Sequence, residues 1–148
     1  MDVWGTLLAT VVGAAIALLG QHLMKRAEDR ARLSELLMEQ CSLVAASAAD
    51  FENRIFEEWI LGLADRVDGF DLSAHRLASV RLQILSRDRA LFSALEELNE
   101  AGKALGGCWR RGDVDDDEVT RRYSRHHIAI AEFIAVSGDV VPRRLALT

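Results

Sequence analysis

No formal charge interrupts the stretch Val3-Trp4-Gly5-Thr6-Leu7-Leu8-Ala9-Thr10-Val11-Val12-Gly13-Ala14-Ala15-Ile16-Ala17-Leu18-Leu19-Gly20. A helix over it is about 27 Å long at 1.5 Å per residue, close to the hydrocarbon thickness of a bilayer. Residues 1–24 are therefore expected to form one transmembrane anchor. A buried core helix needs no run this long without a charge. A cleaved leader would carry its positive charges before the apolar run, whereas here they follow it, despite the small-x-small pattern Ala15-Ile16-Ala17. No cysteine follows closely enough for a lipoprotein signal.

Charge sets the expected orientation. Only Asp2 and the terminal amine precede the run, while Lys25, Arg26, Arg30 and Arg32 follow it. The positive-inside rule then places the N-terminus outside and the rest of the chain in the cytoplasm, at the bacterial inner membrane. Trp4 is the expected outer interface anchor, and Lys25 and Arg26 the inner ones. Gly5, Ala9, Gly13 and Ala17 recur at four-residue spacing, with Thr6, Thr10 and Ala14 beside them. Small residues so spaced let two helix backbones approach closely in lipid, so a homo-oligomer through this face is expected.

The chain has 148 residues and a net charge of −5. Setting the anchor aside leaves roughly 120 residues, enough for one small domain. No stretch alternates apolar and polar residues between turn signals, and the fold class expected is all-α. Basic residues are almost all arginine and alanine is abundant, as in proteins of GC-rich bacterial genomes. Cys41 and Cys108 stand far apart without metal-ligand spacing and are expected as reduced, packed thiols.

The anchor is expected to continue into a cytoplasmic bundle, 25–137, of three long antiparallel helices. In the neck, Lys25 faces Asp29 and Glu28 faces Arg32 at i, i+4. The stripe Leu33, Leu37, Cys41, Val44, Ala48, Phe51 and Ile55 predicts a first helix over about 25–64, widened by Phe56, Trp59, Ile60 and Leu63. Gly69 suits a left-handed cap, and Asp71 or Ser73 an N-cap. A second helix is expected over 73–105, with Leu77, Val80, Ile84, Leu91, Leu95 and Leu98 on one face and a gap at Arg87-Asp88. Gly106 and Gly107 would end it. A third, 116–136, would turn Val119, Tyr123, Ile130, Phe133 and Ile134 inward and Arg121, Arg122 and Arg125 outward. Residues 138–148 read as a tail.

Chemistry-bearing motifs are few. Asp113, Asp115 and Asp117 have the spacing of a calcium loop, but Glu118 and Ser124 stand where its glycine and its bidentate glutamate belong. Carboxylates there suit a helix N-terminus instead. His126 and His127 point about 100° apart on a helix, which does not make a two-ligand metal site. His22 falls at the inner end of the anchor. No phosphate loop, dinucleotide turn or nucleophile motif is present. Arg81, Arg87, Arg89, Arg121, Arg122 and Arg125 are interspersed with acids, so nucleic acid is not an expected partner. No catalytic, cofactor-binding or metal-binding residue is assigned, and no cofactor is expected.

In layout, through Trp4-Gly5, the Gly/Ala run and the Lys25-Arg26 neck, the chain resembles a broad class of short bacterial proteins with one N-terminal span, an Arg-rich neck and a cytoplasmic helical domain. The resemblance brings no activity. The function expected is that of a non-catalytic, single-pass interaction or scaffold protein. Its partners would be the lipid bilayer, further copies of itself and a cytoplasmic protein. The alternative is a pore-forming, holin-like protein.

Overall fold

A computed structural model describes the backbone of residues 3–112 and 115–146, and the side chains of residues 14, 16–112 and 115–141. The described chain is all-helical. Its elements are α1 (Val3–Trp59), α2 (Leu72–Leu85), α3 (Arg89–Arg110) and α4 (Asp116–Ala146). They form a helical bundle in which α1 packs against α2 and α4, and α4 also packs against α3. Contacts between α1 and α4 pair Glu52 with His126 and Trp59 with Asp116. Those between α3 and α4 pair Glu97 with Arg125 and Arg111 with Glu118. Rising numbers on α1 and α3 meet falling numbers on α4, so both run antiparallel to it.

The core follows the α1 stripe. Leu37, Cys41, Val44, Ala48, Phe51 and Ile55 are buried, and only Leu33, at its start, is 37% exposed. Around them pack Ala78, Leu82, Leu91, Leu95, Leu98, Ala101, Ala129, Ile130 and Phe133. A second cluster, Phe51, Ile55, Val67 and Leu105, closes the end of the bundle beneath the α1–α2 loop. The two cysteines are free and buried.

The helix expected over 73–105 is two helices. Ser86 is extended (φ −117°, ψ 149°) and its N–H bonds the Leu82 carbonyl, ending α2. The Asp88 carboxylate accepts from the Leu91 N–H at 3.0 Å and starts α3. An aspartate inside an apolar pattern gains more as an N-cap than as a helix-interior residue. The break rotates α2 relative to α3. Leu77, Val80 and Ile84, expected in the core, are 52%, 50% and 76% exposed, while Ala78 and Leu82 are buried in their place.

Other boundaries move for local reasons. α1 stops at Trp59 because Gly62 adopts φ +66° and Asp65 φ +60°, so the left-handed glycine of this turn is Gly62 rather than Gly69. Asp71 does cap α2, accepting from the Ala74 N–H at 2.9 Å. Gly106 and Gly107 lie inside α3. Gly106 serves packing: a Cβ there would stand 3.1 Å from Phe51 Cζ. α4 continues through 138–146 instead of ending at 136. Ser137, Val140 and Val141 are buried, and this contact carries the helix on to Pro142, whose missing N–H removes one helical bond. Ile134, expected inward, is 53% exposed.

From Ala14 to Leu33 every described side chain is exposed. The i, i+4 pairs expected in the neck, Lys25 with Asp29 and Glu28 with Arg32, do not form, because in a fully solvated helix their attraction is too weak to fix the rotamers. Among the described residues no helix is long and apolar enough to cross a membrane. Most of Val3–Gly20 has side chains outside those described.

The core assignment yields a direct contrast. Leu95→Ala, at a site 1% exposed, should cost about 3 kcal/mol of unfolding free energy. Ile84→Ala, on the open face of α2, should cost less than about 0.5 kcal/mol. Denaturant titration of the full chain in a membrane mimetic measures both. Comparable losses would mean that α2 buries the face expected from the sequence.

Candidate functional site

The buried face of α4 repeats at alternating steps of four and three through Val119, Tyr123, His126, Ile130, Phe133, Ser137 and Val140. His126 therefore falls inside the apolar seam, where it is 2% exposed. A buried imidazole needs a polar partner, and α1 supplies one. His126 Nδ1 lies 3.1 Å from Glu52 Oε2, and His127 Nδ1 lies 2.8 Å from Glu52 Oε1. One carboxylate thus bridges two consecutive histidines, one buried and one whose side chain is 70% exposed. An ionised carboxylate only accepts hydrogen bonds, so each imidazole carries a proton on Nδ1.

The surroundings fix this arrangement. Phe51 meets the His126 ring edge-on, with centroids 5.8 Å apart. Gly102 of α3 faces the opposite nitrogen, and a Cβ there would lie 3.5 Å from His126 Nε2. His126 therefore sits where α1, α3 and α4 meet. Burial pushes the Glu52 carboxyl up, but the His126 and His127 hydrogen bonds and the charge of the imidazoles together push it further down. It rests below the ordinary glutamate value. Burial raises the Tyr123 phenol, and the neighbouring Glu52 charge and hydrogen bond raise it further.

A second polar tie lies closer to the α1–α2 loop. The Glu58 carboxylate accepts from the Val67 N–H at 2.7 Å and from Trp109 Nε1 at 2.6 Å. Trp59 Nε1 donates to Asp116 at 3.2 Å, and its ring packs against Tyr123 at 6.0 Å. The arginines of α4 divide their pairing. Arg122 bonds Glu118 within the first turns of α4, whereas Arg125 reaches across to Glu97 of α3.

Histidine with a carboxylate on Nδ1 is oriented as a general base is oriented in hydrolases, its Nε2 left for another group. Here the same bonds also join helices that share no other buried ionic contact among the described residues. An open concavity of about 640 Å³ lies elsewhere, between α3 and α4, lined by Ser93, Glu96, Glu97, Glu100, Lys103 and Arg125. Among the described residues no group of three or more His, Cys, Asp or Glu side chains is placed to hold a metal ion.

The structure does not bring the site residues expected from the sequence together with this cluster. Ala17, Lys25 and Arg26 are exposed on the free part of α1. Trp4, Gly5, Ala9 and Gly13 have side chains outside the described residues. Adjacent histidines do diverge along a helix, but both rings turn back to one acceptor, and the sequence reading assigned Glu52 no role. The available signal was the position of His126 on the α4 seam. No protein-family model, curated protein or solved structure matches the chain.

The Glu52 cluster predicts an acid-labile contact. The folded pKa of Glu52 lies below its unfolded value, so near and below that value the unfolded chain binds more protons and stability rises with pH. The contribution should be complete above the unfolded value of about 4.3 and should vanish as pH falls through the folded one. Glu52→Gln should destabilise the chain by about 1–3 kcal/mol at pH 7, since it leaves two donors without their ionised acceptor. The gap between wild type and variant should shrink in unfolding titrations as pH falls below the unfolded value and through the lower folded one. A gap independent of pH would remove the ionised carboxylate from the account.

Proposed function

We propose that the chain is a single-pass, membrane-anchored helical interaction protein that self-associates and carries out no catalysis. One observation carries this reading. The N-terminal part of α1 leaves the bundle with apolar side chains uncovered on all sides: Ile16, Leu18, Leu19, Leu23 and Met24 are each more than 60% exposed. Water does not support such a helix, and among the described residues nothing packs against these side chains. A bilayer, entered at Val3–Gly20 and left at Lys25 and Arg26, supplies the missing environment. The basic residues after the run favour a cytoplasmic bundle. The bundle supports a binding role over an enzymatic one because its polar cluster ties helices together.

Two outcomes test the reading. A phosphatase fused after Thr148 should stay inactive in a periplasmic assay, while a cytoplasm-active fluorescent fusion should glow; the reverse pattern would overturn the orientation. Gly13→Ile should weaken a homo-oligomer in a membrane two-hybrid assay about tenfold, and Leu18→Ile should change it little, because a large side chain holds backbones apart only on the contact face. Equal effects would leave the Gly5, Ala9, Gly13 and Ala17 ladder without a role in association. Rapid depolarisation on expression, read with a potential-sensitive dye, would favour the pore reading instead.

A further inference from the structure

Helix α2 is apolar on two opposite sides. Its buried side is made of Ala78, Ser79 and Leu82. At 100° per residue, Leu77, Val80 and Ile84 fall together on the other side, and all three are exposed. The helix thus turns its smaller residues to its own bundle and its larger ones outward. Covering the larger set would remove more apolar area from water than the bundle itself removes from α2. A helix apolar on both sides is built to be packed on both sides.

The uncovered surface continues onto α1. Leu36 and Leu43 share a helix edge with Arg54, and Arg54 donates to the Arg66 carbonyl of the α1–α2 loop at 2.8 Å. This edge is the α2 side of α1, away from Glu52 and α4, and both leucines are exposed. Apolar rows on two neighbouring helices form a surface along which a third helix can lie.

Charge selects the kind of helix. The chain has 23 Asp and Glu against 18 Lys and Arg, yet none of those acids falls between Leu72 and Arg87. Arg76 and Arg81 border the row of Leu77, Val80 and Ile84 on its two sides, and neither forms an ion pair among the described residues. Glu39 borders the α1 leucines on the side away from α2. A second copy matches this face badly. With Leu77 and Ile84 at a positions of a heptad and Val80 at d, Arg76 takes g and Arg81 the following e. Copies anchored in one membrane run parallel, and a parallel pair of α2 helices sets each Arg76 against the Arg81 of its neighbour. A lipid surface matches no better. α2 starts beside Phe51, where Phe70 packs at 5.0 Å, and runs back along α1. Its outer row therefore points sideways from the axis of the anchor, not toward the bilayer.

We propose that the outer face of α2, with Leu36 and Leu43 of α1, docks an amphipathic helix of a cytoplasmic partner. That helix presents an apolar stripe to Leu77, Val80 and Ile84 and carboxylates on both flanks to Arg76 and Arg81. The proposal rests on the membrane-anchored interaction reading and adds the chemistry of the partner.

Binding to the full chain in nanodiscs of neutral lipid tests this. The probes are two designed fluorescent helices that share one leucine stripe and differ only in its flanking residues, Glu in one and Lys in the other. The Glu helix should bind about tenfold more tightly than the Lys helix. Arg76→Glu combined with Arg81→Glu should reverse that order. Ile84→Asp should weaken the Glu helix about tenfold, whereas Arg121→Glu, on α4, should change it little. All these sites are exposed, so the variants should keep the wild-type circular dichroism and melt. No binding of the Glu helix, equal binding of the two helices, or a preference that ignores Arg76 and Arg81 overturns the proposal. So does a dimer that Ile84→Asp dissociates, which makes the face a contact between copies. Displacement of the Glu helix by anionic lipid in the discs overturns it as well, since the face then binds headgroups. An alkaline wash of cell membranes reads the anchor separately. Release of the chain, with the peptide preference intact, would sink the anchor reading and leave the docking face standing.

Discussion

The bundle is organised along one stripe of α1. Leu37, Cys41, Val44, Ala48, Phe51 and Ile55 are buried along a single helix face, and α2 and α4 both lie on it. α3 reaches the core mainly through α4, with Gly106 giving it a close contact with Phe51. The residues where helices meet are often small: Ala48, Ala78, Ala101 and Ala129 share the core with leucines and Phe133. Such a core gains its stability from close backbone approach, so it tolerates enlargement at those alanines poorly.

Polar contacts then fix which helices meet and where. Glu52, Glu58 and Asp116 each accept from an imidazole or indole N–H on another helix. A buried carboxylate is costly unless hydrogen bonds replace its lost water. Glu52 has two imidazole donors and Glu58 has an indole and a backbone N–H, so neither is left uncompensated. The surface pairs, such as Lys103 with Glu100, are solvated and contribute little. Direction along the bundle is thus written in its carboxylates more than in its leucines.

Periodicity made much of this legible. The α1 stripe, the Asp71 cap, the start of α4 at Asp116 and the burial of Leu91, Leu95 and Leu98 all follow from spacing and capping chemistry. The errors share a cause. An apolar stripe gives a helix face only while the helix is unbroken, and Asp88 broke it. Beyond the break, Ile84 and Leu91 no longer shared a face, and the smaller residues Ala78 and Ser79 turned inward instead. Glycine misled in the same way: Gly106 and Gly107 look like stop signals, but one is a packing residue, while the turning glycine is Gly62. The Glu52 cluster stayed hidden because its partners stand far apart in sequence, and no local pattern marks an acid on α1 as the acceptor for two histidines on α4.

The position of Glu52 nonetheless has a geometric reason. An α-helix drifts by about 20° per heptad against a strict seven-residue repeat. The residues Leu37, Val44 and Phe51 therefore shift gradually round the helix as α1 proceeds. Near Phe51 the α4-facing edge must be filled by the next positions round the helix, and these are Glu52, Ile55 and Trp59. Ile55 fills the core, whereas Glu52 and Trp59 reach α4 by hydrogen bonds to His126, His127 and Asp116. The change from apolar to polar packing thus falls where the apolar repeat runs out of register. It also explains why His126 occupies a seam position that would otherwise take a leucine: the facing residue on α1 is an acid, and an apolar side chain opposite it would leave a buried carboxylate without its donor.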